Sequence, residues 1–134
     1  MGLSAYLADK LAAQMFNGTA YTWPTTFYVG LFTTQPSGGS GGTEASYTGY
    51  ARVLFDPTSA NWTIAGSEAK NAVAINFPAN TGTAQTIVGY GLFDASTGGN
   101  LLTDNTLTTQ QTVNNGATPS FAIDALTITF TISP

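Results

Sequence analysis

The clearest pattern in the chain is a run of β-branched and aromatic residues, Thr25-Thr26-Phe27-Tyr28-Val29-Gly30-Leu31-Phe32-Thr33-Thr34. This composition is typical of a β-strand. Apolar and polar residues do not alternate within the run, so we expect both faces of this central strand to be covered. A second apolar run contains Gly91-Leu92-Phe93, which repeats Gly30-Leu31-Phe32. The pattern predicts that the two Gly-Leu-Phe segments lie close together, each glycine admitting a neighbouring ring or backbone.

Further apolar segments follow at intervals of about ten residues, separated by glycine, proline and asparagine, which is typical of a β-sandwich or barrel. These predicted strands are residues 50–55, 62–64, 72–78 and 83–93. The final strand alternates, with Leu126, Ile128, Phe130 and Ile132 on one face and Thr127, Thr129 and Thr131 on the other. Phe121 and Ile123 have the opposite parity, which predicts a bulge or bend near Asp124-Ala125. The predicted fold is mainly β: an antiparallel, jelly-roll-like β-sandwich or a barrel, with one short N-terminal α-helix.

The one helical pattern lies at residues 4–16, where Leu3, Leu7, Leu11 and Met15 recur every four residues. Ser4 is a suitable N-cap and Asn17-Gly18 a suitable end. We expect the apolar stripe of this helix to cover the central strand. The alternative is that Leu7 and Leu11 dock on a neighbouring protein.

The whole chain, residues 1–134, is predicted to be a single domain. Residues 36–43 are rich in glycine and serine and have the composition of a flexible loop. Such a loop is suited to lie along the surface of another protein, so Pro36, Ser37 and Thr43 are candidate contact residues. The terminal strand has neither lysine nor interior proline to protect its edge, so Thr127, Thr129 and Thr131 are further candidates.

Charged residues are few: three Lys and Arg against seven Asp and Glu, which gives a net charge of -4. The chain therefore lacks the basic surface that nucleic-acid or membrane-surface binding requires. No apolar run approaches the length of a membrane span, and the N-terminus does not resemble an export signal. Arg52 is the one cation within a predicted strand. We expect it to form a structural ion pair with Glu44 or, alternatively, with Asp56.

The chain contains neither histidine nor cysteine. Disulfides, thiol catalysis and Cys-based zinc sites are therefore excluded, and the commonest general base and metal ligand are missing. Residues 94–102 fit a hairpin connection better than a calcium loop, because they carry one carboxylate and no closing Glu. We therefore expect no catalytic residues and no cofactor, and we expect the protein not to be an enzyme. Rings such as Trp23 and Trp62 leave sugar binding as one alternative function.

Several motifs occur in a characteristic order: the N-terminal helix, residues 27–34, Gly42-Thr43-Glu44, Gly49-Tyr50-Ala51-Arg52-Val53, and Gly91-Leu92-Phe93-Asp94-Ala95. Gly98-Gly99-Asn100-Leu101-Leu102 and a Thr-rich final strand complete the set. Together they resemble a family of small tailed-bacteriophage proteins that are usually described as tail-fibre-like. The resemblance covers almost the whole chain. It implies a structural protein of the virion, made in the bacterial host cytoplasm and carrying no known catalytic residues.

The sequence shows no repeat beyond the Gly-Leu-Phe pair, whereas an elongated fibre shaft requires one. On that ground we hypothesise a capsid cement or decoration protein, a homo-oligomer that bridges neighbouring subunits of the major capsid protein. The alternative is a tail-fibre-like or tail-attached module whose partners are tail proteins. A sugar-binding module for receptor recognition is the third hypothesis.

Overall fold

The structure is a computed structural model that describes residues 2–130. Within this range the chain forms one helix, α1, and eleven strands. Their bounds are β1 Gly2–Leu3, α1 Ala5–Asn17, β2 Tyr28–Thr34, β3 Thr43–Glu44, β4 Val53–Leu54, β5 Trp62–Ala65, β6 Glu68–Asn71, β7 Ile75–Asn76, β8 Gln85–Phe93, β9 Leu101–Val113, β10 Ser120–Phe121 and β11 Thr127–Thr129. The mainly-β prediction with one helix is confirmed. No helix among residues 2–130 is long and apolar enough to cross a bilayer.

The principal sheet has six antiparallel strands in the order β1-β9-β8-β2-β3, with β4 also paired to β2. The two Gly-Leu-Phe segments lie on β2 and β8, which are neighbours, and Gly30 stands directly opposite Gly91. This confirms the predicted closeness of the two segments. Gly30, Leu31 and Phe32 are all buried, so both faces of the central strand are covered, as its unbroken apolar pattern predicts.

Two smaller sheets pack against one face of the principal sheet: β10 with β7, and β11-β6-β5. The core lies between the layers and is formed by apolar side chains from all three sheets, among them Val29, Leu31, Ile75, Phe77, Tyr90, Leu92, Phe121, Leu126 and Ile128. Among residues 2–130 the sheets do not close on themselves. The observed architecture therefore matches the sandwich prediction, and the barrel alternative is wrong.

Helix α1 begins and ends close to the predicted positions. The Ser4 hydroxyl accepts a hydrogen bond from the amide of Leu7 at 3.1 Å, and Gly18 ends the helix in the left-handed conformation at φ 66°. The helix lies mainly against β9 and β1 at the edge of the sheet, not across β2. The prediction that its stripe covers the central strand is therefore wrong, because β1 attaches the start of α1 to the β9 edge.

The outer face of β2 is covered instead by side chains, since Phe93, Glu44 and Tyr50 lie against Gly30. Phe32 and Phe93 contact each other there, with ring centroids 5.9 Å apart. In residues 36–43, Gly38 and Gly39 both have positive φ and form a turn closed by reciprocal hydrogen bonds between Ser37 and Ser40. The Gly38 carbonyl accepts a hydrogen bond from the amide of Ala5 at 3.0 Å, which joins the loop to α1. The predicted flexibility of residues 36–43 stays a prediction.

Candidate binding surface

A groove with an apolar lining opens at the end of the principal sheet, between the start of α1 and the three-stranded sheet. We call it the apolar groove. Its volume is about 450 Å³, within the range of cavities that bind ligands or side chains. Its walls are formed by Leu7, Tyr21, Trp23, Pro24, Phe27, Pro57, Thr58, Ser59, Trp62, Ile64, Ala69, Leu92, Leu102, Thr103, Ile128 and Phe130.

Segments far apart in the sequence form the walls of the apolar groove. The buried side chain of Leu7 comes from the second turn of α1, and the segment before β2 contributes Trp23. Trp23 packs edge-on against Tyr21, with centroids 4.9 Å apart. The hairpin of β5 and β6 contributes Ile64, and Phe130 follows directly after β11. The groove therefore depends on the complete fold, and no local motif encodes it.

Large apolar side chains at the mouth of this groove are exposed to solvent. Ile64 is 68% exposed, Trp23 49% and Phe130 47%. Exposed apolar side chains that form a contiguous patch around a concavity mark interaction sites, whereas single ones scattered over a surface do not. This arrangement makes the apolar groove the candidate binding surface.

Two polar atoms in the lining of the apolar groove lack hydrogen-bond partners. They are the hydroxyl oxygen of Thr103 and the indole nitrogen Nε1 of Trp62, both buried. The Thr103 residue as a whole is 4% exposed. Buried polar groups in folded proteins are nearly always hydrogen-bonded, and an unpaired one costs about 1–3 kcal/mol.

A second exposed apolar feature is the C-terminal end of α1. Met15 is 72% exposed and Phe16 is 81% exposed, the highest value among the large apolar side chains of the described residues. We call these two residues the helix tip. Leu7 is buried and Leu11 is half-buried, so the candidate contact residues taken from the helical stripe pack largely within their own domain. The helix tip presents far more apolar surface to a partner than they do.

Arg52 and Glu44 lie together on the outer face of the principal sheet. Two nitrogens of the Arg52 guanidinium each donate to one oxygen of the Glu44 carboxylate, both at 2.8 Å. The guanidinium also donates to the backbone carbonyls of Ala95 and Gly98, and it stacks 3.5 Å from the ring centroid of Phe93. The alternative partner Asp56 is not used. All of these contacts are structural, because the Arg52 side chain is only 7% exposed.

Tyr50 completes this cluster. Its hydroxyl donates to Glu44 at 2.7 Å and accepts from the backbone amide of Leu31 at 3.0 Å. Burial, reinforced by the hydrogen bond to the Glu44 carboxylate, raises the pKa of Tyr50 well above its usual range. Tyr50 is therefore a neutral donor at physiological pH, and it connects the ion pair to the central strand.

The loop and the terminal strand place their candidate contact residues in different environments. Pro36 is buried, whereas Ser37 and Thr43 are exposed. Thr127 and Thr129 are half-buried, and Thr131 lies outside the described residues. These candidates do not converge on one surface with the apolar groove. Ser37 and Thr43 remain open to a partner, whereas the side chain of Pro36 does not.

Part of the edge of β11 is hydrogen-bonded to side chains of the same domain. The Tyr90 hydroxyl donates to the Thr127 carbonyl at 2.7 Å and accepts from the Thr127 amide at 3.1 Å. Asn105 donates to the same carbonyl and to the Tyr90 hydroxyl, both at 3.2 Å. A partner strand that paired with β11 would have to displace these bonds at Thr127. The terminal strand is therefore a weaker contact surface than its sequence indicates.

Two observations on the described residues bear on metal and sugar binding. No group of three or more acidic side chains among residues 2–130 could hold a metal ion. The carboxylate of Asp94 accepts from the backbone and side-chain nitrogens of Asn100, as in a hairpin turn. The apolar groove has no carboxylate or amide side chain in its lining to bind sugar hydroxyls. Trp62 is half-buried and also packs edge-on against the core residue Phe55, with ring centroids 5.1 Å apart.

Three features of this surface are missing from the sequence prediction: the exposure of the helix tip, the role of Phe130 as a groove wall, and the unpartnered hydroxyl of Thr103. For Phe16 a signal did exist, because it is adjacent to the predicted stripe residue Met15 and so faces away from that stripe. Met15 itself was predicted to lie on the buried stripe, and its 72% exposure shows that this prediction is wrong at the last turn of α1. No signal in the sequence indicates the positions of Phe130 or Thr103 in the groove, since both depend on how the sheets pack.

A protein-family model described as "Podophage GP4 fiber I protein gp80" matches residues 2–129. No curated protein matches the chain. The match covers nearly all of the chain and confirms the resemblance to tail-fibre-like phage proteins. The chain belongs to the podophage GP4 fiber I protein gp80 family, a family of phage structural proteins of the fibre type.

Proposed function

We propose that the chain is a structural module of the phage tail, of the fibre type, and that it works by binding other virion proteins and not by catalysis. The observation that carries this proposal is the family match over residues 2–129, because its description names a fibre protein. The sequence patterns favoured capsid cement. The family match supports the tail-fibre alternative better, so we propose it in place of the cement hypothesis.

The surface of the domain supports a role in protein–protein contact. The apolar groove has aromatic and aliphatic walls, and the helix tip carries Met15 and Phe16. Aromatic residues and methionine are enriched in the buried centres of protein interfaces, whereas Lys, Glu and Asp are depleted there. Neither surface includes a charged residue. These surfaces are suited to a permanent place in an assembled particle.

The location can be tested by immunogold electron microscopy of purified virions, using antibodies raised against the chain. We expect gold at the tail and its fibres. Tailless heads, isolated from a host infected with a tail-assembly mutant, should carry neither label nor the protein in mass spectrometry. Regular labelling of the capsid surface, with the protein retained on tailless heads, would overturn the proposal and restore the cement hypothesis.

A deletion mutant of the phage supplies an independent test. We expect particles that lack the chain to have heads with wild-type resistance to heat but to adsorb poorly to the host. The cement hypothesis predicts heat-sensitive heads and normal adsorption, since loss of a bridging protein weakens the shell. Heat-fragile heads combined with normal adsorption would therefore contradict the tail location.

A further inference from the structure

We propose that Asn17, the last residue of α1, undergoes spontaneous deamidation in the folded protein and becomes aspartate or isoaspartate. The chain contains two Asn-Gly pairs, Asn17-Gly18 and Asn115-Gly116, which are identical as dipeptides and differ in their structural surroundings. That difference carries the inference, because it leaves the first pair free to react and holds the second in place. The inference goes beyond the proposed function, since it concerns the covalent state of the chain and not its location in the virion.

The reaction needs no enzyme, metal or oxidant. The backbone nitrogen of Gly18 loses its proton to water and forms a bond to the side-chain carbon Cγ of Asn17. The bond from Cγ to the side-chain nitrogen then breaks, and that nitrogen takes up a proton and leaves as ammonia, so that a succinimide ring forms. One water molecule opens the ring at either carbonyl carbon and leaves a carboxylate. Glycine in the second position favours the attack, because it has no Cβ atom to obstruct it.

The folded structure controls this reaction through the attacking nitrogen. A backbone N–H group that donates a hydrogen bond keeps its proton and its position, so the bond must break before the nitrogen can attack. The asparagine must also leave its helical or turn conformation to bring Cγ close to that nitrogen. The reaction at each Asn-Gly pair therefore takes place in a locally opened form, and its rate follows the free energy of local opening.

The end of α1 can open without disturbing the core. Residues 14–20 are all exposed, so unwinding the last turn uncovers little apolar surface. The Gly18 amide donates to the carbonyl of Ala13, which belongs to the same helix end, so this bond breaks when that end frays. The last turn also has no basic side chain to interact favourably with the negative end of the helix dipole. The nitrogen of Gly18 is therefore released often in the folded chain.

The Asn115-Gly116 pair lies in a turn that is fixed to the core. The Gly116 amide donates to the backbone carbonyl of Asn80 at 2.6 Å. Asn80 is 0% exposed, and its side-chain amide donates at 2.9 Å to the carbonyl of Val113, at the end of β9. Releasing the Gly116 nitrogen therefore requires the turn to separate from a fully buried residue. We expect Asn115 to react slowly, although its own side chain is exposed.

Deamidation changes the surroundings of the helix tip, which lies next to Asn17. The new carboxylate adds one negative charge to a chain whose net charge is -4. This charge lies at the C-terminal end of a helix, where the dipole makes it unfavourable. Isoaspartate also lengthens the main chain by one carbon, so the Gly18 amide no longer aligns with the Ala13 carbonyl. We expect the last turn to unwind, so that Met15 and Phe16 lose their fixed positions.

Peptide mass spectrometry of the purified chain, incubated at neutral pH, tests the inference. In the folded protein Asn17 should convert at least about tenfold faster than Asn115. In urea the two rates should agree within about threefold, because both pairs then belong to an unfolded chain. Equal rates in the folded protein would overturn the inference. So would a rate for Asn17 in the folded protein that is more than about a hundredfold below its rate in urea.

Ion-exchange chromatography allows a comparison of two matched variants. The acidic form that accumulates in the wild-type protein should be absent from Asn17→Gln and should persist in Asn115→Gln, since glutamine forms the corresponding larger ring far more slowly. Both positions are exposed and both substitutions keep the side-chain amide, so we expect both variants to fold. An acidic form that appears at the wild-type rate in Asn17→Gln would place the reaction at another residue.

Amide hydrogen exchange measures the local opening itself. Exchange at Gly18 should be no more than about tenfold slower than in an unstructured chain, whereas exchange at Gly116 should be slower by about a hundredfold or more. Equal protection of the two amides would contradict the proposed difference in opening. None of these results bears on the tail location, which immunogold labelling tests, and label on the capsid would leave the inference about Asn17 standing.

Discussion

At the scale of single residues, Arg52 shows how one buried charge is accommodated in a chain that has few. A guanidinium with 7% exposure needs partners for its donors, and it finds them in one carboxylate and two backbone carbonyls. The planar group also stacks on Phe93. Because Ala95 and Gly98 lie in the loop after β8, the single side chain of Arg52 joins this loop to β3.

We expect Arg52→Ala to lower the free energy of unfolding by about 3 kcal/mol, because it leaves the partly buried Glu44 carboxylate without its partner. Lys70→Ala is the control. Lys70 pairs with Glu68 at 3.2 Å, but both side chains are more than a third exposed, so its loss should change stability by no more than about 0.5 kcal/mol. Urea unfolding followed by tryptophan fluorescence measures both. Equal effects in the two variants would contradict a structural role for Arg52.

Because several tyrosines are buried, the free energy of unfolding is expected to fall at alkaline pH. Burial raises the pKa values of Tyr47, Tyr50 and Tyr90 in the folded chain above the usual value near 10. Above about pH 10 the unfolded chain therefore loses phenol protons that the folded chain retains, so stability present at pH 8 declines as pH rises. Each tyrosine contributes at most about 1.4 kcal/mol per pH unit to this decline.

Tyr50→Phe should make the alkaline decline shallower, because one of the groups with a raised pKa is gone. At pH 8 the variant should be less stable than wild type by about 1–2 kcal/mol, since the Leu31 amide and Glu44 lose a hydrogen-bond partner. Urea unfolding at pH 8 and between about pH 10 and 11 provides the comparison. Identical slopes for the two proteins in the alkaline range would refute the assignment.

At the scale of elements, the two Gly-Leu-Phe segments show why glycine occupies the centre of a buried strand pair. A Cβ atom added at Gly91 would lie 2.6 Å from a methyl carbon of Leu101 and 2.8 Å from the ring of Phe32. One added at Gly30 would lie 2.7 Å from the ring of Phe93. The aromatic rings on the outer face therefore pack into space that only two opposed glycines leave open.

Gly91→Ala should reduce the free energy of unfolding by about 1–3 kcal/mol, the usual cost of inserting a methyl group into a well-packed region. The control is Thr108→Ala, an exposed position on the neighbouring β9, where we expect a change within about 0.5 kcal/mol. Thermal and urea unfolding measure both variants. A stable Gly91→Ala protein with unchanged unfolding would mean that the Phe32 ring moves aside freely.

The elements that the sequence predicts are those with a continuous apolar run or a regular apolar spacing. The apolar runs at residues 25–34 and 83–93 predict β2 and β8 to within three residues, and the predicted bend near Asp124 occurs at a positive φ of 65°. Most of β9 was missed, because its residues 103–112 are mainly Thr, Asn and Gln. Backbone hydrogen bonds to β8 stabilise β9. The register between the two strands shifts at a bulge, because Gly89 lies opposite Thr106 whereas Ile87 lies opposite Gln111.

At the scale of the whole molecule, the sequence predicted the sandwich but could not predict the apolar groove. The sandwich follows from strand periodicity, which is local. The groove is assembled from residues as distant as Leu7 and Phe130, whose contacts depend on the packing of three sheets and a helix. The helix stripe likewise predicted that α1 covers the central strand, whereas the attachment of α1 to β9 buries Leu7 at the sheet edge and leaves the helix tip exposed.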